Sequence, residues 1–81
     1  MIYFLTQDNC PKCVALKNYI EKALGTTYLN KISFIHRDHD SALFNELVSK
    51  FNIMATPCLI AGDDILRNPN LSNTRDFLDQ H

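Results

Sequence analysis

Residues 2–13 read Ile2-Tyr3-Phe4-Leu5-Thr6-Gln7-Asp8-Asn9-Cys10-Pro11-Lys12-Cys13. The first five are apolar, aromatic or β-branched, the pattern of a buried strand. Asp8 and Asn9 are turn formers. Pro11 suits the first position of a helix, where it has no needed N–H to lose and its fixed φ organises the turn. A strand therefore ends, the chain turns, and a helix opens with Cys10 at its threshold and Cys13 about one turn inside. From Pro11 to Leu24, apolar Val14, Leu16, Tyr19, Ile20, Ala23 and Leu24 recur at roughly helical spacing. Gly25 is expected to close that helix.

Residues 31–36 (KISFIH) predict a second strand, with Phe34, like Phe4 in the first, in the core. The polar run Arg37-Asp38-His39-Asp40-Ser41 leads into a second helix, capped by Asp40 or Ser41 and striped by Leu43, Phe44, Leu47, Val48 and Phe51. A strand–helix–strand unit of this length implies two parallel strands with a right-handed crossover. Residues 58–61 (CLIA), a turn at Gly62-Asp63-Asp64, and Ile65-Leu66 read as a hairpin. Pro69 to Gln80 predicts a last helix resting on Leu71, Phe77 and Leu78. The expected class is α/β, in the order β-α-β-α-β-β-α, with a four-stranded mixed sheet flanked by helices.

Eighty-one residues make one domain, 1–81, with a thin stability margin. An apolar share of 46% supports a core, and eight basic against nine acidic residues offer no clustered positive face for nucleic acid. No stretch approaches the ~20 apolar residues of a membrane span, and the opening residues lack the features of a signal peptide. The expectation is a cytoplasmic protein. In that reducing compartment a close Cys-x-x-Cys pair is catalytic or metal-binding rather than a structural disulfide.

Disulfide chemistry needs a thiolate to attack and a second thiol to release the mixed disulfide. The unpaired N–H groups and dipole at a helix N-terminus favour an anionic sulfur there. Lowering a thiol pKa by about two units takes roughly 2.7 kcal/mol. The dipole supplies about 0.3–2 kcal/mol, and hydrogen bonds to a charged group roughly 1.5–3 kcal/mol. Lys12 adds a screened contribution. Cys10 is thus assigned as exposed nucleophile and Cys13 as resolving thiol. Two other readings compete. A metal or iron–sulfur carrier needs about four ligands, of which Cys10 and Cys13 supply two, with His36 and His39 as further candidates. A binding module would carry the dithiol without using it. Cys58, in an apolar strand, is read as a core residue.

The Cys10-Pro11-Lys12-Cys13 motif after a first strand, together with Thr56-Pro57 opening the third, resembles the glutaredoxins and thioredoxins, and the resemblance covers essentially the whole chain. It implies a thioredoxin fold and a cis bond at Pro57 that presents Thr56 toward the dithiol. It also implies a dithiol oxidoreductase with no tightly bound cofactor and no metal, most like a glutaredoxin. Glutathione is then the expected co-substrate, held near Pro11, Lys12, Thr56 and Pro57. Asn70 and Ser72 stand where the family places acidic residues at the last helix, and the family's Gly-Gly turn is absent from Ile65–Ser72. Glutathione or thioredoxin reductase is the expected reductant. Disulfide-bearing proteins such as ribonucleotide reductase are the expected acceptors, and the expected state is a monomer.

Overall fold

The structure, a computed structural model, describes all residues from Met1 to His81. Strand β1 (Ile2–Thr6) leads to helix α1 (Pro11–Tyr19), which continues as a π-helical turn over Ile20–Leu24. A short helix α2 (Thr26–Leu29) precedes β2 (Ile32–His36) and α3 (Ser41–Phe51). Then come β3 (Cys58–Ala61), β4 (Asp64–Leu66) and α4 (Leu71–Gln80). The sheet order is β2-β1-β3-β4; β1 runs parallel to β2 and antiparallel to β3, and β4 is antiparallel to β3. The expected α/β class and mixed four-stranded sheet are present.

Strand alternation divides the core between the two sheet faces. Ile2 and Phe4 of β1 join Leu16 and Ile20 from the first helical stretch and Phe77 and Leu78 from α4. Leu5 points the other way, with Ile35, Ile60 and the α3 residues Phe44 and Leu47. Both cysteines of the motif belong to the first cluster, whereas Cys58 belongs to the second. The dithiol therefore stands on packed side chains and cannot sink far without displacing them.

Local details depart from the sequence expectations in four places. The helix expected through Leu24 changes pitch at Ile20, where the Gly25 N–H reaches the Ile20 carbonyl at 2.9 Å. Gly25, at φ 85°, then turns the chain into α2, which was not anticipated. Val14 (60% exposed) and Leu71 (52% exposed) lie on the surface, although both were counted in apolar stripes. Thr74 takes the inner position on α4 one turn before Phe77 and Leu78, so the buried stripe begins one turn later than Leu71, which is the first residue of the helix. Finally, Phe34 is only half-buried, its ring 5.0 Å from that of Phe4.

Candidate functional site

The dithiol is built by the passage from β1 into α1. Asn9 adopts a left-handed φ of 56°, a conformation asparagine tolerates better than most residues, and this turns the chain so that Cys10 becomes the N-cap of α1. Pro11 follows in the first turn, and the Cys10 carbonyl accepts the Val14 N–H at 3.1 Å. The Cys13 N–H, one of the orphan donors of the helix start, points at Cys10 Sγ at 3.2 Å. Cys10 and Cys13 are joined as a disulfide across a Cα–Cα distance of 5.2 Å. The pair is thus in its oxidised form.

Cys10 is less open than the sequence reading expected: 9% of it is exposed, against 3% of Cys13. Its cover comes from across the sheet. Leu5 of β1 pairs with Cys58 of β3, so the residues just before β3 lie beside the end of β1. The Thr56–Pro57 bond is cis, and the Thr56 hydroxyl donates to Cys10 Sγ at 3.7 Å. Two donors therefore converge on one sulfur, a backbone amide from α1 and a hydroxyl from the cis-proline segment. Both favour negative charge on that atom.

Beside this junction lies a cavity of about 410 Å³. Lys12, Thr56, Pro57 and Asn70 line it; Pro11 and Ser72 do not. Arg67, which sequence reasoning missed, also lines it, and its donors go to the Phe51 carbonyl (2.9 Å) and the Asn52 carbonyl (3.1 Å). No local pattern around Arg67 announced this, because its partners are fifteen and sixteen residues away. At the far wall the Asn70 side chain caps α4, accepting from the Asn73 N–H at 2.8 Å, while Asn73 Oδ1 accepts from the Asn70 N–H at 2.6 Å. Asn70 is thereby committed to the helix, and the Leu71 and Ser72 N–H groups at the helix start remain free of backbone partners. Positive potential thus enters the cavity from Lys12, Arg67 and the start of α4.

The histidines lie elsewhere. His36 Nδ1 accepts the N–H groups of Asp38 (3.0 Å) and His39 (3.4 Å), and its Nε2 meets Asp8 Oδ1 at 3.0 Å. A ring that accepts at Nδ1 carries its proton on Nε2, so the hydrogen bond runs from Nε2 to Asp8 and neither nitrogen offers a free lone pair to a metal. Asp8, His36 and Asp38 are close enough to share an ion, but their imidazole is arranged as a loop fastener. Cys58 is a free thiol with 1% exposure, and burial pushes its pKa up. A buried, protonated thiol is a poor nucleophile. No helix is long and apolar enough to cross a membrane.

No protein-family model matches the chain, and no curated protein sequence matches it significantly. Solved structures do. The thioredoxin-like protein BC3987 superposes with a TM-score of 0.72 at 18% identity, over 94% of this chain and 97% of that one. A point mutant of that protein gives 0.74 at 18% identity, over 96% and 99%. Thioredoxin from Malassezia sympodialis gives 0.68 at 18% identity, over 99% of this chain and 72% of that one. At that identity the likeness is one of architecture, and it agrees with the strand order: the chain has a thioredoxin-like fold, and its own Cys10–Cys13 disulfide stands at the threshold of the first helix.

Proposed function

We propose that the protein is a dithiol–disulfide oxidoreductase of glutaredoxin type. The observation that carries this reading is the convergence on Cys10 Sγ of the Cys13 N–H and the Thr56 hydroxyl, with Cys13 within bonding distance. In the reduced protein, the Cys10 thiolate attacks one sulfur of a substrate disulfide and expels the other as a thiolate, which takes up a proton. The Cys13 thiolate then attacks Cys10 Sγ, expels the second substrate sulfur and closes the Cys10–Cys13 disulfide. Two electrons have passed to the substrate. An external reductant, two glutathione molecules or thioredoxin reductase, returns them.

Glutathione is the proposed co-substrate because the cavity beside Thr56 is positive and of small-molecule size, and glutathione is an anionic thiol. Lys12 and the free N–H groups at the start of α4 suit its carboxylates, and the cis-proline segment suits its backbone. One observation favours thioredoxin reductase instead: the Asn70 side chain is already used as a helix cap, which removes a side-chain contact from the cavity wall. Disulfide-bearing proteins such as ribonucleotide reductase remain the proposed acceptors. A single-domain cytoplasmic monomer completes the proposal.

The test is NADPH oxidation coupled in parallel to glutathione with its reductase and to thioredoxin reductase, with a small disulfide as acceptor. Turnover in the glutathione arm that vanishes in Cys10→Ser supports the reading. Turnover confined to the other arm moves the reductant. Turnover that survives Cys10→Ser, or none in either arm, contradicts the oxidoreductase itself.

A further inference from the structure

Arg67 stands at the exit of β4, away from both cysteines in sequence, and its guanidinium has an unusual pair of partners. It donates to the carbonyls of Phe51 and Asn52, the last groups of α3, which the helix itself leaves unbonded. Asn52 is left-handed at φ 54°, and from it the chain departs for the cis-proline. Ile53 is fixed next, buried and with its N–H on the Val48 carbonyl at 3.0 Å. Between Ile53 and buried Pro57, Met54 (85%) and Ala55 are exposed, and half-buried Thr56 makes its side-chain bond to Cys10 Sγ. Arg67 lines the wall of the main cavity together with Ala55 and Thr56, and that of a smaller one with Met54 and Ala55. One side chain thus braces the start of this segment and flanks the rest of it.

We infer that Arg67 is a positioning residue for the dithiol: by clamping the end of α3 it holds Thr56 where its hydroxyl reaches Cys10 Sγ. The inference rests on the proposed thiolate role of Cys10. The reason for an arginine is geometric. Two adjacent carbonyls are spanned by the two terminal nitrogens of a planar fork, which a lysine ammonium, a single point donor, does not reproduce. A lysine does reproduce the charge. The two routes from Arg67 to Cys10, through space and through Thr56, therefore separate on substitution.

The experiment follows the pH dependence of iodoacetamide alkylation at Cys10 in the reduced protein, with peptide mass spectrometry to assign the site. Arg67→Met is expected to move the Cys10 inflection upward by up to about one pH unit, the worth of one hydrogen bond to the charged sulfur. Arg67→Lys is expected to move it in the same direction, and carries the test should Arg67→Met fail to fold. In a Thr56→Val background, where the hydroxyl is already gone, either Arg67 substitution is expected to add nothing, the non-additivity of residues acting through one contact. An unmoved inflection in Arg67→Lys, or Arg67 and Thr56 effects that simply add, overturns the inference. Those results leave the Cys10 reading standing, which fails instead if the unmodified protein shows an ordinary thiol.

Discussion

Cys10 and Cys13 lie three positions apart, yet their surroundings differ in kind. Cys10 caps the helix and receives two donors, whereas Cys13 lies inside the first turn and lends its amide to its partner. From this asymmetry Cys10→Ser should abolish disulfide reduction. Cys13→Ser should still attack and then accumulate a mixed disulfide, visible as a mass increment on the protein. Cys58 offers an independent residue-scale test. Burial raises its thiol pKa above the ordinary range, so the unfolded chain loses that proton at a lower pH than the native one. The native state is thus favoured at full strength below about pH 8.5, and the contribution is lost as pH rises through the native value. With the disulfide kept oxidised, urea unfolding from neutral to about pH 9.5 should show stability falling in the parent and a flatter profile in Cys58→Ala. The motif residues were legible because proline, turn formers and a strand bracket them. The direct contact of the Thr56 hydroxyl with Cys10 was not legible. It depends on β1–β3 register, and sequence could expect Thr56 near the dithiol only by resemblance.

At the scale of elements, caps and turns decide how the site is held. Asn70 and Asn73 cap α4 reciprocally, so Asn70→Ala should cost about 1 kcal/mol in urea unfolding and disturb the cavity wall with it. Gly25 has open space around its α-carbon but a φ of 85°, so Gly25→Ala should destabilise by roughly 1 kcal/mol through backbone strain alone. Apolar and β-branched runs, together with proline placement, made β1, β3 and the opening of α1 readable in advance. The π-helical turn and α2 were not readable, since Thr26–Leu29 is too short for a periodic signal and the pitch change at Ile20 leaves the apolar spacing nearly intact. Leu71 misled for a related reason. It shares the face of Thr74 and Leu78, but as the first residue of α4, next to the Asn70 cap, it lies at the helix end and stays half exposed.

For the whole molecule, the sheet supplies the rigid platform and its two faces share the work. The face carrying α1 and α4 holds the dithiol, and the face carrying α3 anchors the segment that delivers Thr56. At one edge of the sheet the α1 threshold, the cis-proline and the start of α4 surround one positive cavity, the place the proposed function gives to substrate. A packed platform of this kind limits reorganisation when the dithiol opens and closes, as the proposed oxidoreductase requires. In the proposed function the Cys13 amide and the Thr56 hydroxyl hold Cys10 as an anion while the Cys13 thiol waits within reach. The direct measurement is the alkylation rate of Cys10 against pH in the fully reduced protein. An inflection below about 7.5, well under the ~8.5 of a free thiol, is the predicted result. An inflection at the free-thiol value would contradict the account.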